Sequence, residues 1–173
     1  PGHSTEQGMA WGKALMQREP TVVLLGWGLR DAQLTGIADV DRRPATFPRD
    51  TRLYRKLAAM LSGSGEGTIP RVSEARYRQN MMEMVAYARE RGIRPLVLDM
   101  TERSDTPTHR RALRELDAPI FIPELNDSDH FERDPIHLNV GGNRKFATQL
   151  VGVVKALLSE AAAVQQEEQV PPK

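Results

Sequence analysis

The sequence predicts an α/β fold of the doubly wound type, a three-layer α/β/α arrangement with one parallel sheet between two layers of helices. Three apolar runs, at residues 21–25, 95–99 and 119–123, have the length of strands and lack the polar alternation of a solvated sheet face. Segments with helical periodicity separate these runs. Strands and helices that alternate in this way are typical of a parallel sheet with helices on both faces.

The helices are predicted from their caps and from apolar residues at helical spacing. Ser4 and Gln7 can form a capping box, in which each side chain satisfies a backbone N–H of the other, ahead of the first helix. Ser73 is the expected N-cap of another helix. The predicted helices cover about residues 5–18, 52–61, 73–92, 108–116 and 146–158.

The length of 173 residues fits a single domain. We expect this domain to cover about residues 1–160, with an insertion at about residues 36–72, where prolines and glycines are frequent. Residues 161–173 become polar and end in two prolines and a lysine, which predicts a disordered tail.

The composition excludes several classes of function. With 24 Lys and Arg against 23 Asp and Glu, the chain offers no general attraction to nucleic acid. No apolar run approaches the ~20 residues of a transmembrane helix. The absence of cysteine excludes disulfides, a thiolate nucleophile and cysteine-ligated zinc. Neither the cysteine count nor the charge assigns the protein to a cellular compartment.

The densest group of polar side chains lies in residues 126–142, which read NDSDHFERDPIHLNVGG. Pro135 disfavours the helical conformation for Asp134, so we expect a turn here that folds Asp134 toward His137. A carboxylate that accepts the imidazole Nδ1–H leaves Nε2 free to act as a general base. Asp127, Asp129 and His130 allow another interpretation, in which the five side chains bind a metal ion, but their spacing selects no metal.

The segment from Asp134 to Gly142 has the form Asp-x-x-His-x-Asn-x-x-Gly and precedes an apolar helix. It resembles the last conserved block of the SGNH hydrolases, the GDSL-type esterases and lipases. The resemblance implies a flavodoxin-like parallel sheet of the SGNH type. It also implies that Asp134 and His137 are the acid and base of a catalytic triad.

Two earlier segments are similar to further blocks of that family. Residues 1–8 resemble the second block, in which the backbone N–H at the position of Gly2 contributes to the oxyanion hole. Residues 26–31 resemble the third block, but Gly28 stands where the family has an asparagine side chain. The implied oxyanion donors are therefore the backbone groups of Gly2 and Gly28, while Trp27 and Arg30 are candidates for the substrate pocket. The resemblance covers about residues 2–158.

The family's first block, Gly-Asp-Ser with the nucleophilic serine, has no counterpart in these 173 residues. We therefore expect the nucleophile in a missing N-terminal segment or in a companion chain. Ser64 lies between two glycines but lacks the strand and the helix that flank a nucleophile elbow. Ser4 is better explained as a helix cap.

The resemblance implies a serine-type hydrolase that acts on small-molecule, carbohydrate or lipid esters, without a cofactor or a metal. A catalytically inactive binding or interaction domain of the same fold is the alternative, because the serine block is absent and the asparagine is replaced. His3 and His109 have no partner that the sequence reveals, and we expect both on the surface.

Overall fold

The structure of the protein is a computed structural model that describes residues 3–28, 30–35, 38–39, 69–99 and 107–168. Gly2, Ser64 and the predicted helix at residues 52–61 lie outside the described residues, as does most of the predicted insertion. A 3₁₀ turn covers Asp127–Asp129. The elements are α1 (Thr5–Met16), β1 (Val22–Leu25), β2 (Leu34–Thr35), β3 (Ile69–Pro70), α2 (Glu74–Arg89), β4 (Arg94–Leu98), α3 (Pro107–Arg114), β5 (Ile120–Phe121), β6 (His130–Phe131), β7 (Asp134–Leu138) and α4 (Val140–Glu168).

The three predicted strands form one parallel sheet in the order β1-β4-β5. Leu24 pairs with Leu96, and Val97 pairs with Ile120. This confirms the prediction of an α/β chain with a parallel sheet. Strand β5 is shorter than the predicted run at residues 119–123, which begins and ends with a proline. A proline has no N–H to contribute to the ladder.

The main hydrophobic core lies on one face of the sheet, under α1, α2 and α3. Because side chains alternate along a strand, Leu25 and Val97 point to this face. They pack with buried side chains from the three helices, among them Met16 of α1, Met81 of α2 and Leu113 of α3. Tyr77 of α2 is also fully buried there.

Helix α4 lies on the opposite face of the sheet. The Phe146 ring contacts the Phe121 ring edge-on, with 5.8 Å between their centroids. Near the amino end of β4, Arg94 Nη1 donates to the Leu157 carbonyl over 3.1 Å. The helix continues to Glu168, so the predicted boundary between domain and tail at residue 160 falls inside it.

The helix caps of α1 and α2 follow the sequence prediction. Ser4 and Gln7 form the capping box at α1, and Ser73 caps α2 by accepting the N–H of Arg76. Two short antiparallel pairs were not predicted: β2 with β3, and β6 with β7. Both pairs lie outside the parallel sheet and shape the loops that follow its strands.

Candidate functional site

The β6–β7 hairpin follows the carboxyl end of β5. Helix α4 fixes its place, because the Gln149 side chain bonds both the N–H and the carbonyl of Glu124, just after β5. From there α4 runs back past the sheet to Arg94, at the amino end of β4. The start of α4, and the hairpin that leads into it, therefore lie on the carboxyl side of the sheet, where ligands bind in open α/β folds.

Strand β7 contains a bulge at the Asp-Pro-Ile-His segment. His130 pairs with Leu138 and Phe131 pairs with Asp134, so adjacent residues of β6 face residues of β7 that are four positions apart. In an extended strand, four residues span ~13 Å. Here the two ends of residues 134–138 lie opposite two adjacent residues of β6, so the segment between them cannot be extended. Residues 135–137 therefore bulge from the ladder, and the backbones of Asp134 and Leu138 lie closer together than in an extended strand. The turn expected at residues 134–137 is thus a bulged strand.

Asn139 fixes this hairpin to the start of α4. Its Oδ1 accepts the N–H of Gly142 over 2.9 Å, the bond of a helix N-cap. Its Nδ2 donates to the carbonyls of Ser128 and His130, over 2.7 and 2.8 Å. One side chain thereby joins the 3₁₀ turn, β6 and α4.

Gly142 allows a close backbone approach at the same point. A Cβ at this position would lie 2.0 Å from the carbonyl oxygen of Asp129, so only glycine fits without a shift. Two donors, the Asn126 N–H and the Lys145 ammonium, lower the pKa of Asp129. Two kinds of contact therefore hold the segment before the hairpin in place: the close backbone packing at Gly142 and the interactions of the Asp129 carboxylate.

Of the two predicted triad residues, only His137 has a side chain within the described part of the structure. His137 is exposed and takes part in an interaction. Asp134 lies on the same strand, but its side chain is outside the described part of the structure. His130, which the sequence offered only as a metal ligand, is 9% exposed, and neither ring nitrogen has a hydrogen-bond partner among the described residues. In the described ranges, no three His, Asp or Glu side chains form a group that could hold a metal ion.

The loop after β1 carries the other predicted residues. Gly28 is buried with φ at 137°, a conformation that favours glycine. The Trp27 indole packs against α1, because a Cβ on Gly8 would lie 2.7 Å from its Nε1. The Trp27 carbonyl accepts from the Tyr77 hydroxyl over 3.0 Å. Arg30 is exposed and donates to Gln33 over 3.2 Å.

A buried polar cluster that the sequence did not reveal surrounds the first turn of α1. Thr5 donates from its backbone N–H and its hydroxyl to Asp31 Oδ1, over 2.8 and 2.5 Å. The Ser4 hydroxyl donates to Asp39 Oδ2 over 2.6 Å. Asn80 Nδ2 donates to the Thr5 hydroxyl over 3.1 Å. Burial raises the pKa of Asp31, although the two Thr5 bonds act in the opposite direction.

No family model and no curated protein matches this chain. No helix in the part of the chain that the structure describes combines the length and the apolar character needed to cross a membrane.

His109 is also buried, so the prediction that it lies on the surface was wrong. It is 1% exposed, and its ring packs edge-on against Tyr77 with the centroids 4.8 Å apart. Burial lowers its pKa, against the opposing effect of its bond to the Val72 carbonyl. The apolar spacing of α3 gave no sign of this contact, because the partners come from other elements. His3 is exposed, as expected.

Proposed function

We propose that this chain belongs to a serine-type ester hydrolase with a doubly wound, flavodoxin-like fold of the SGNH type. The observation that carries the proposal is the bulge in β7, because it shortens the backbone path from Asp134 to Leu138, on which His137 lies. In an extended strand, side chains three positions apart point to opposite faces of the sheet. The bulge removes that obstacle to a bond between the Asp134 carboxylate and His137.

The chemistry follows from these two residues. A serine hydroxyl attacks the ester carbonyl, and His137 takes its proton. The tetrahedral intermediate collapses as His137 returns the proton to the leaving alcohol, and an attacking water then repeats both steps to release the acid. Asp134 keeps the imidazole in the required tautomer. The backbone N–H groups of Gly2 and Gly28 stabilise the oxyanion.

The resemblance assigns the serine to a central strand of the sheet that precedes Gly2. Two features of the structure support a further strand beside β1. Among the described residues β1 pairs only with β4, and Leu24 of β1 is 42% exposed. A parallel strand connected to β1 through α1 would form the usual right-handed crossover unit and would occupy that edge.

The exposed His137 suits a base that must reach a diffusing ester. Small-molecule, carbohydrate and lipid esters all fit this reaction, and no cofactor takes part in it. Trp27 contributes through its packing against α1 to the loop that holds Gly28, so its role in the site is support for the backbone donor.

The test is the hydrolysis of p-nitrophenyl acetate by the gene product read from its own start codon. His137→Ala should lower kcat by at least ~1,000-fold, because loss of a triad member leaves only oxyanion and binding contributions. Glu132→Ala changes an exposed residue in the turn of the same hairpin and serves as the matched control. Equal kcat values for His137→Ala and Glu132→Ala would exclude His137 from the reaction. No turnover by the unmodified protein would favour the inactive binding domain.

A further inference from the structure

The first turn of α1 is held from outside the helix by a single carboxylate oxygen. Thr5 is the first residue of α1, and Asp31 Oδ1 accepts both its N–H and its hydroxyl. Both residues are fully buried. A carboxyl oxygen at a helix N-terminus satisfies an N–H that has no partner within the helix.

Hydrogen bonds of the backbone hold Asp31 in place. The Asp31 carbonyl accepts the N–H of Val72 over 3.1 Å, and the nearby Ala32 N–H donates to the Gly28 carbonyl over 3.2 Å. The turn that contains Gly28 therefore ends at the residue beside Asp31. A movement of the Asp31 side chain would affect this turn and α1 together.

A second carboxylate acts on the residue before Thr5. Asp39 accepts the Ser4 hydroxyl and also pairs with the Arg71 guanidinium, with 2.8 Å between Nη2 and Oδ2. The Arg71 N–H donates to the carbonyl of Gln33, in the loop that carries Asp31. The two aspartates thus belong to one connected network that ends at the start of α1.

We propose that Asp31 is a positioning residue that ties the turn of Gly28 to the start of α1, and so aligns the backbone donor of Gly28. The inference rests on the proposed function for the role of that N–H group. Gly28 precedes Asp31 by three positions, and Asp31 bonds the first residue of α1. The Thr5–Asp31 pair is therefore the point at which the donor turn is joined to α1.

Removal of the Asp31 carboxylate should disturb turnover more than substrate binding, because the oxyanion develops only in the transition state. Asp31→Ala removes both bonds to Thr5. Asp31→Asn retains an amide oxygen that can accept the same two donors. We expect Asp31→Ala to lower kcat for p-nitrophenyl acetate by about 100-fold with little change in KM, since a displacement of ~1 Å can have an effect of that size. Asp31→Asn should stay within about threefold of the unmodified protein.

Asp99→Asn is the matched control, because Asp99 is another buried carboxylate but bonds Arg110 of α3 instead of α1. Melting temperatures separate lost folding from lost alignment. If Asp31→Ala lowers the melting temperature while kcat per folded molecule stays at the control value, the positioning role is disproved and the ester hydrolase stands. If His137→Ala retains full activity, the proposed function fails instead.

Amide hydrogen exchange tests the same inference without catalysis. Asp31→Ala should raise the exchange rates of the amides of Ser4, Thr5 and Gly28 by tenfold or more, while Asp31→Asn and Asp99→Asn should leave them unchanged. Exchange in both segments that is the same for Asp31→Ala and the control would overturn the inference, whether or not the protein hydrolyses esters.

Discussion

His109 donates from Nε2 to the carbonyl of Val72 over 3.2 Å, since a carbonyl can only accept. A neutral imidazole that donates from Nε2 carries no hydrogen on Nδ1. This Nδ1 is buried and has no hydrogen-bond partner among the described residues, and the same is true of Asp31 Oδ2. The charge of His109 acts to lower the pKa of Asp31, but burial of Asp31 has the larger, opposite effect. Asp31 is fully buried, and this burial disfavours its charged carboxylate form.

This arrangement predicts how stability depends on pH. Burial raises the pKa of Asp31 in the folded protein, so the folded state keeps a proton that the unfolded chain loses near pH 3.9. The stability from this proton is complete below the unfolded pKa and is lost as pH rises through the folded pKa. We expect Asp31→Asn to become progressively more stable than the unmodified protein as pH rises above about 4. Urea unfolding at a series of pH values measures this difference.

Asp117→Asn is a useful control for the direction of the pH dependence, because the Arg89 guanidinium lowers the pKa of Asp117. The contribution of Asp117 to stability is present above its unfolded pKa and is lost as pH falls, the reverse of the contribution of Asp31. A stability difference between Asp31→Asn and the unmodified protein that stays constant between pH 4 and pH 8 would contradict a raised pKa of Asp31.

Gly142→Ala should separate the start of α4 from the segment before β6. The new Cβ would meet the Asp129 carbonyl oxygen at 2.0 Å, which forces a backbone shift. Steric overpacking of this kind costs about 1–3 kcal/mol. Gly152→Ala is the matched control in the same helix, because a Cβ there meets nothing within 4 Å. It should stabilise the protein by about 0.5–1 kcal/mol through helix propensity.

Thermal unfolding of the two alanine variants provides the comparison. A melting temperature for Gly142→Ala at or above that of Gly152→Ala would show that the hairpin does not pack against α4 as described. If the proposed function holds, Gly142→Ala should also lower kcat, because it displaces the strand that carries His137.

The parallel sheet could be predicted from the sequence because local residue patterns determine its strands. The runs that became β1 and β4 are apolar without polar alternation, and the capping box at Ser4 depends on residues only three positions apart. The polar network at α1 could not be predicted in this way. Thr5 and Asp31 are 26 positions apart, and a buried aspartate has no periodic pattern that reveals its partner. The β7 bulge is set by pairing with His130 and Phe131, and the proline at residue 135 indicated only that a helix was excluded.

The last prediction concerns Gly28, where the family that the sequence resembles has an asparagine. A side-chain amide at this position would add an oxyanion donor, and one such donor can be worth roughly 100-fold to 1,000-fold in kcat. The backbone opposes this gain, because Gly28 has φ at 137°, beyond the left-handed region that asparagine tolerates. A residue with a side chain held in such a conformation costs about 1–3 kcal/mol.

We therefore expect Gly28→Asn to lower the melting temperature and to leave kcat without the gain of a new donor. Gly28→Ala introduces the same backbone strain without an amide, so it isolates the contribution of the side chain. Equal kcat values for the two variants, measured per folded molecule, would mean that the loop is built around glycine and relies on backbone donors. A kcat for Gly28→Asn at least tenfold above that of Gly28→Ala would contradict this, because the amide would then reach the oxyanion despite the strain.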